Sequence, residues 1–511
     1  MIKLKRAVGS TLFAITLSLS LSTAPAFAKK ADDTLRVAMA EEILNLDYNY
    51  TTKREYIILA QMTDASLFDV DPKTQEIVPS VASGYKFIDD KTLDVTLRTN
   101  VKFHDGSVLN AEDVAYTYNW IIDPKSESNA TGIIGRWLDR VEVTGANTLR
   151  FHMKAVYPLA LRDMAQRIML RKKDTYNPGG VVNKNAMAQK VNGTGPYKVT
   201  SFKPGQEVVL ERFDGFFGPK PAIKKIIVRN IPDIGTQQAE LMAGGVDWMF
   251  NVPLDLAQSL GATPIAKHLS GPDLRVSFVV LDAAGYTDPK GPLTKVEVRR
   301  AINYALNKSE MAKFLIGGSA EGIHTACHPA QFGCDQKSVD YPYNPAKAKE
   351  MLKAAGYPNG FPLDLWAYRE KPVAEAVAAD LTAAGIKVNL RYVKLESLDQ
   401  ARANKQISAY IGTWGSGGTA DTAAIARIHF SDETDRNLSG DAQLNKDVLA
   451  AEQTNDENKR RELYTKAIGR IADQAYWAPL FTYSANYLVS PELNFPLDSD
   501  GLPRLQNASW K

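Results

Sequence analysis

The stretch LDVTLRTNVKFHDGSVLNAEDVAYTYNW, from Leu93 to Trp120, decides the fold of this chain. Polar and apolar residues alternate from Asp94 to Arg98, which is the two-residue period of a half-buried β-strand. Asp105-Gly106 then predicts a turn, because glycine tolerates the positive φ angles of tight turns. Asn110 is a favourable N-cap and Asp113 stands at the third helical position, so the sequence predicts a helix from this point.

This helix has one face formed by Val114, Thr117, Tyr118 and Ile121. A strand, a turn and a capped helix occur together in many folds, but the residues themselves are more specific. The pattern Lys/Arg-x-x-V-x-F-H-D-G-x-x-x-x-A-E-D-V resembles the signature of extracellular solute-binding proteins of the peptide/nickel class, or family five. Members of this family are the soluble receptors of ABC importers.

Four further stretches extend the resemblance over nearly the whole chain after residue 28. Each is weak alone, but together they occur in the order that the family shows. They are GTGPYKVTSFKPGQEVVLER (Gly193 to Arg212), VEVRRAINYALNKSEM (Val296 to Met311), YNPAKAKEMLKAAGYPNGF (Tyr343 to Phe361) and ADQAYWAPLF (Ala472 to Phe481).

The resemblance implies an α/β protein with two lobes that close on a ligand like a clamshell, with an extra subdomain in the first lobe. Hinge positions near Arg275–Leu281 and Pro479–Tyr483 follow from it. The expected boundaries are residues 29–50, 186–276 and 479–511 for the core of lobe I, 51–185 for the subdomain and 277–478 for lobe II.

Residues 1–28 have the pattern of a cleavable signal peptide. Lys3, Lys5 and Arg6 form a basic start, Leu12 to Leu21 an apolar segment, and Ala26-Phe27-Ala28 an A-x-A cleavage site. The apolar segment is about half as long as a membrane span. No cysteine stands at the cleavage site for a lipid anchor, so we expect a free periplasmic protein of a Gram-negative cell.

Composition and charge exclude one class of partner. The formal net charge of +3 lies in the first 28 residues, which carry three basic and no acidic side chains, so the remaining chain is neutral. A neutral chain lacks the basic surface that binds nucleic acid. Hydrophobic residues make up 44% of the chain and charged residues 23%, as in a globular protein with a large core.

Strands and helices alternate between Leu363 and Trp414, the pattern of an α/β sheet. Leu363 to Ala367 predicts a strand, and a helix with an apolar stripe from Val373 to Ala384 ends at Gly385. Ile386 to Leu390 predicts the next strand, followed by a short helix over Ser397 to Asn404. Ile407 to Gly412 predicts the last strand of this run.

Cys327 and Cys334 lie in HTACHPAQFGC. Two cysteines this close in an oxidising compartment usually form a disulfide. The alternative is a zinc or nickel site, in which His324 and His328 join the thiols as metal ligands. The compartment favours the disulfide, and we expect neither a metal nor a cofactor.

Trp414 and the glycine-rich loop after it, Gly415, Ser416 and Gly417, are the best candidates for ligand contact. Ligands of open α/β sheets bind beyond the carboxyl ends of strands, and glycines let a ligand approach the backbone. The family resemblance implies a tryptophan at this position in the ligand cleft. The alternative is a core tryptophan beneath a flexible loop.

The sequence departs from the family at Gly417. Peptide-binding members usually carry an aspartate three residues after the tryptophan, where it holds the α-ammonium of the ligand. Asp421 is the nearest carboxylate that might replace it. Its alternatives are a solvated charge or an N-cap of the helix predicted over Ala423 to Ile428.

Four further residues are candidates for the cleft. Glu41 follows the predicted strand Leu35 to Met39 and is either a ligand contact or a solvated charge. Trp248 and Tyr368 each either line the cleft or pack in the core. Arg275 precedes the hinge and faces either a ligand carboxylate or a structural ion pair.

The sequence therefore predicts a receptor that captures a peptide or peptide-like solute, without covalent chemistry, and delivers it to an ABC permease. We expect a monomer. A receptor for a nickel-type metal complex is the narrower alternative, and a secreted hydrolase is the alternative from another class. G-x-S-x-G, H-E-x-x-H, the Walker A loop and the dinucleotide fingerprint are all missing from the sequence, which disfavours an enzyme.

Overall fold

The computed structural model describes residues 32–51 and 53–511. The predicted signal peptide, residues 1–28, lies outside these ranges. Within them, no helix combines the length and the apolar character needed to span a membrane.

The described ranges contain strands that we number in chain order. They are β1 (Thr34–Met39), β2 (Phe68–Val70), β3 (Ile77–Pro79), β4 (Ala82–Asp89), β5 (Thr92–Leu97), β6 (Leu138–Gly145), β7 (Thr148–Met153), β8 (Tyr197–Lys203), β9 (Glu207–Arg212), β10 (Lys225–Asn230), β11 (Trp248–Phe250), β12 (Lys267–Leu281), β13 (Pro362–Ala367), β14 (Lys387–Tyr392), β15 (Ala409–Trp414), β16 (Trp477–Val489), β17 (Leu493–Asn494) and β18 (Ser509–Trp510).

The α-helices are numbered in the same way. They are α1 (Arg54–Thr63), α2 (Ala111–Ile122), α3 (Thr131–Ile134), α4 (Ala160–Gln166), α5 (Ile234–Ala243), α6 (Leu254–Gly261), α7 (Val296–Ala305), α8 (Lys308–Met311), α9 (Pro345–Ala354), α10 (Lys371–Ala383), α11 (Leu395–Ala403), α12 (Ala423–Phe430), α13 (Ala442–Ala451) and α14 (Glu457–Asp473). One π-helical turn, Ala312–Ile316, follows α8.

A ten-stranded mixed sheet runs through the whole protein in the order β14-β13-β15-β12-β16-β11-β1-β10-β9-β8. We call the part that contains β1 and β8 to β11 lobe I, and the part that contains β13 to β15 lobe II. Strands β12 and β16 lie between the two parts and pair with each other in antiparallel register from Lys267↔Val489 to Val280↔Trp477. This architecture confirms the expected two-lobed α/β fold.

The predicted hinge segments lie within these two central strands. Their pairing shifts register between Asp273 and Val276 and again between Ser277 and Phe278. Such bulges bend a strand and increase its local twist. The sheet is therefore irregular at the place where the two lobes meet.

The decisive stretch folds as the sequence predicts. Strand β5 is followed by the turn at Gly106, whose φ is +88°, and by helix α2. Asn110 caps α2 through a reciprocal pair of hydrogen bonds with Asp113, and the face from Val114 to Ile121 is buried. Strand β5 belongs to a separate antiparallel sheet of order β4-β5-β7-β6, within the predicted subdomain.

The strands and helices predicted between Leu363 and Trp414 are present as β13, α10, β14, α11 and β15. Strand β15 begins later than predicted, at Ala409, because its pairing with β13 starts at Leu365↔Ala409. The strand also extends further than predicted, because its pairing with β12 continues to Val276↔Trp414, so Trp414 is the last residue of β15 and does not lie beyond the strand. The domain boundaries stay a prediction.

Candidate functional site

A cavity of about 790 Å³ lies between the two lobes. Residues from three parts of the structure line this cavity. Lobe I and helix α1 contribute Arg54, Glu55, Asn251, Val252, Pro253, Leu254, Asp255 and Gln258. Strands β12 and β16 contribute Asp273, Arg275, Tyr483, Ser484 and Asn486, and lobe II contributes Phe314, Leu315, Ile316, Arg369, Glu370, Pro372 and Val373.

Most of the charges that line this cleft are already paired. Arg54 forms an ion pair with Asp273, with 3.0 Å between Nη1 and Oδ2. In lobe II, the Nε of Arg369 lies 2.8 Å from Oε1 of Glu370. The Tyr483 hydroxyl donates a hydrogen bond of 2.7 Å to the other oxygen of Glu370. These contacts fix the walls of the cleft before any ligand binds.

Arg275 is the exception among the cations of the cleft. Its Nη1 donates to the hydroxyl of Thr413 at 3.2 Å, and no carboxylate of the described residues lies within 4.0 Å of its guanidinium. Burial lowers the pKa of Arg275, and Arg369 and Arg54 lower it further, although Asp273 opposes this effect. A buried charge without a counter-ion is unfavourable, so this position favours an incoming anion.

Glu55, like the exposed Asp255, lines the cleft without a salt-bridge partner among the described residues. It stands in the first turn of α1, and within the described part of the chain no Lys, Arg or His nitrogen lies within 4.0 Å of its carboxylate. Burial raises the pKa of Glu55 and the carboxylate of Glu41 adds to the effect, whereas a hydrogen bond from its own backbone and the charges of Arg54 and Lys53 lower it.

The cleft also has an apolar wall. Phe314, in the π-helical turn, is 63% exposed although it lines the cavity. Leu315, Ile316 and Val373 lie on the same side, and Leu254 faces them from lobe I. A wall of this kind suits the apolar part of a ligand, and the charged residues suit its polar ends.

Trp414 packs beside the cleft and does not line the cavity. Its Nε1 donates a hydrogen bond of 2.6 Å to the carbonyl of Ala424. The ring of His429 lies 5.2 Å from its ring, and the guanidinium of Arg436 lies 5.4 Å from it. The indole is half-buried. Its role as a ligand contact stays a prediction.

The glycine-rich loop, residues 415–418, packs against two arginines from distant parts of the chain. A Cβ atom at Gly415 would lie 2.9 Å from the guanidinium of Arg275, and one at Gly417 would lie 2.7 Å from that of Arg167. Gly417 also has a φ of +56°. Gly417 therefore has a backbone conformation that favours glycine, and a side chain at either position would have to displace an arginine guanidinium. The Ser416 side chain is buried.

Asp421 is engaged in the interior. Both of its carboxylate oxygens accept hydrogen bonds from Nη2 of Arg460, at 3.0 and 2.9 Å, and Oδ1 also accepts from the backbone of Ala423. Asp421 is 4% exposed. Helix α12 begins at Ala423 with Thr422 as its N-cap, so Asp421 is neither the N-cap nor a solvated charge. Ammonium binding by Asp421 stays a prediction.

The remaining candidates are dispersed. Trp248 is fully buried and stacks on Phe250, and Glu41 forms a surface ion pair with Lys53. The hydroxyl of Tyr368 lies 3.4 Å from that of Thr413, beside Arg275 but outside the cavity lining. The structure therefore brings the loop and Tyr368 near the cleft, buries Trp248 in the core and leaves Glu41 outside the cavity lining.

Cys327 and Cys334 form a disulfide. His324 contacts the carbonyl of Gln336, and Nδ1 of His328 accepts a hydrogen bond from the backbone of Ala330. In the ranges that the structure describes, no group of three or more His, Cys, Asp or Glu residues is placed to hold a metal ion.

Sequence reasoning singled out Arg275 but missed Arg54, Glu55 and Arg369. Arg369 lies just beyond the carboxyl end of a strand predicted from the sequence. Ligands of α/β sheets bind at such strand ends, so this position could have indicated a cleft residue. Arg54 and Glu55 gave no such signal, because they face the cleft only through the packing of α1 against distant elements.

Comparison with known proteins identifies the family. The profile described as bacterial extracellular solute-binding proteins, family 5 Middle, matches residues 76–436. The glutathione-binding protein GsiB of Salmonella choleraesuis (strain SC-B67) is 26% identical over 520 residues, which cover 96% of this chain and 98% of that protein. The dipeptide-binding protein of Escherichia coli (strain K12) is 26% identical over 436 residues, 79% of this chain and 80% of that protein.

A solved structure shows the same fold. The ABC transporter substrate binding protein CtaP from Listeria monocytogenes superposes with a TM-score of 0.83 at 21% identity, covering 93% of this chain and 99% of that one. The profile match spans well over half of the sequence, and the resemblance noted in the sequence is confirmed. The chain belongs to the bacterial extracellular solute-binding proteins of family 5.

Proposed function

We propose that this protein is the substrate-binding receptor of an ABC importer and that it holds a small peptide or peptide-like molecule with a free carboxylate between its lobes. The observation that carries the proposal is Arg275, a half-buried guanidinium in the cleft without a carboxylate partner among the described residues. The similarity to the glutathione-binding protein GsiB and to the dipeptide-binding protein supports the same ligand class.

Binding requires no covalent step. A ligand that touches Arg275 on β12, the lobe I side at Asn251 and the lobe II wall at Phe314 bridges the two lobes. Contacts made on both sides exist only when the lobes are close together, so the ligand stabilises the closed arrangement. The permease would then recognise the closed pair of lobes and accept the ligand.

The test is ligand binding by the purified protein. Native mass spectrometry of protein from the periplasm weighs any co-purified ligand, and calorimetry with glutathione and a defined mixture of dipeptides measures affinity. Arg275→Ala should weaken binding by at least about 30-fold, the scale for truncating one partner of a buried charge pair. Arg391→Ala is the matched control, because Arg391 pairs with Asp364 on the exposed surface of lobe II.

Three outcomes would contradict the proposal. The first is that no carboxylate-bearing ligand binds, and the second is that Arg275→Ala binds as tightly as the unchanged protein. The third is hydrolysis of peptide or ester substrates by the purified protein, which would support an enzyme instead.

Export and oligomeric state belong to the same proposal. We expect residues 1–28 to be removed on export, so that the periplasmic protein begins at Lys29 and has the corresponding intact mass. We also expect a monomer by light scattering.

A further inference from the structure

The cleft needs a second polar contact if its ligand carries a free amino group. The resemblance implies that family members place a carboxylate for this purpose three residues after the tryptophan, where this chain has Gly417. A carboxylate would not fit at Gly417 without displacing Arg167, since a Cβ there would lie 2.7 Å from its guanidinium. If the ligand carries an ammonium group, another residue must hold it, because Gly417 has no side chain.

The other carboxylates near the cleft are mostly occupied. Asp421 is bound by Arg460, and Asp273 is bound by Arg54. Glu370 receives Arg369 on one oxygen and Tyr483 on the other. Taking any of these for a ligand would leave a partially buried arginine or a buried tyrosine hydroxyl without its partner, which is costly.

Glu55 is free of such a commitment within the described residues. It lies at the border between the main cavity and a smaller one of about 170 Å³, which is also lined by Met39 and Ala40 at the end of β1 and by Asn251 after β11. Asp255 also lines the main cavity and has no salt bridge within the described ranges, but its side chain is exposed to water. Glu55, by contrast, is partly shielded from water. A charge-assisted hydrogen bond is stronger where water is partly excluded.

We propose that Glu55 holds the ammonium group of the ligand while Arg275 holds its carboxylate, so that the protein selects zwitterions with a free amino group. This inference rests on the proposed function. It moves the ammonium contact from the loop of lobe II, where the family resemblance places it, to the first turn of α1 on the opposite wall of the cleft.

An ammonium contact on α1 favours closure of the two lobes on the ligand. Arg275 belongs to the strands that join the lobes, and the apolar wall belongs to lobe II. An ammonium contact on α1 therefore adds a bond from the far wall, so that one ligand connects every part of the cleft. A ligand without the amino group keeps the Arg275 contact and loses the contact to α1.

The experiment compares free and N-acetylated ligands on three variants. The probes are glutathione and a defined mixture of dipeptides, each with its N-acetyl form, and binding is measured by native mass spectrometry and calorimetry. The unchanged protein should prefer the free amine by at least about 30-fold. Glu55→Gln should lose most of this preference. Glu297→Gln, the same change in the first turn of α7 on the surface, should retain it.

The outcomes separate the two proposals. If peptides bind and acetylation has no effect, the Glu55 assignment is overturned while the receptor function stands. If the preference exists but disappears in Asp255→Asn and persists in Glu55→Gln, the ammonium contact is Asp255 and the assignment is again overturned. If neither the free nor the acetylated probes bind, the proposed function itself fails. Thermal unfolding of Glu55→Gln should match or exceed that of the unchanged protein, because the substitution removes a charge without a partner.

Discussion

The side-chain amide of Gln331 donates a hydrogen bond of 2.8 Å to the hydroxyl of Ser416. Gln331 lies in the loop that the Cys327–Cys334 disulfide closes, and Ser416 lies in the glycine-rich loop beside Arg275. The two loops are also joined through their backbones, since Phe332 donates to the carbonyl of Ala420 and accepts from Thr422. The disulfide loop therefore supports the segment that borders the cleft.

Loss of the disulfide should loosen this support. The double variant Cys327→Ala, Cys334→Ala should unfold with a free energy about 2–3 kcal/mol lower, the scale expected for so short a covalent loop. Amide hydrogen exchange at Thr422 should be faster in this variant than in the unchanged protein, whereas exchange at a control position in β13 should stay the same. Free-thiol titration of the denatured, unreduced protein should detect no reactive thiol. Two reactive thiols would contradict the disulfide and restore the metal-site alternative.

The buried ion pair between Asp421 and Arg460 gives a second prediction. Asp421→Asn leaves the Arg460 charge without its counter-ion, so we expect the free energy of unfolding to fall by about 3–5 kcal/mol. Glu462→Gln breaks an exposed pair with Lys459 and should change stability by less than about 1 kcal/mol. Both are measured by urea denaturation. Unchanged stability with lost ligand affinity in Asp421→Asn would instead support a ligand contact.

Trp414→Ala separates the two roles left open for this residue. The indole donates to Ala424 and packs against His429. We therefore expect the free energy of unfolding to fall by about 2–3 kcal/mol, less than for a fully buried aromatic residue because the indole is half-buried. Ligand affinity of the folded fraction should stay within a few-fold of the unchanged protein by calorimetry. A loss of affinity with little loss of stability would confirm the ligand contact predicted from the sequence.

Acidification should destabilise the fold through His328. Burial lowers the pKa of His328 to about 4, although the carboxylate of Asp273 opposes the shift. The unfolded chain binds a proton near pH 6.5 and the folded chain does not until about pH 4, so stability falls as the pH drops between these values. His328 contributes a loss of about 3 kcal/mol over this window.

The variant His328→Gln isolates that contribution. Its free energy of unfolding, measured by urea denaturation at pH 7, 5.5 and 4, should depend less steeply on pH than that of the unchanged protein. Equal slopes for the two proteins would contradict the assignment. Burial also lowers the pKa of His429 well below its usual value. His429 therefore contributes equally to the pH dependence of stability in both proteins and does not affect their comparison.

Local features of the fold could be predicted from the sequence because their causes are local. The cap of α2 depends on Asn110 and Asp113, three residues apart. The end of α10 depends on Gly385, which has a φ of +99°. The family pattern then supplied the two-lobed arrangement, which no local rule provides. The start of β15 was misplaced because strand ends depend on the partner strand and not on the alternation alone.

The site was harder to predict because its contacts join distant parts of the chain. Asp421 meets Arg460, 39 residues away, and Trp248 packs against Tyr487 across the sheet. The residues around Asp421 in the sequence do not indicate that Arg460 is its partner. Arg275 was found because it lies beside a hinge that the family implies, but its lack of a carboxylate partner is visible only in three dimensions.

The bulge in β12 has a mechanical consequence. The pairing of β12 with β16 passes from Asp273↔Tyr483 to Val276↔Thr482, so Leu274 and Arg275 stand outside the regular ladder. One sheet continues through both lobes, so we expect any rotation of the lobes to twist the sheet where that ladder is interrupted. Arg275 lies at this interruption. The residue that we propose to bind the ligand carboxylate therefore lies where we expect the sheet to twist, which would couple ligand contact to the angle between the lobes.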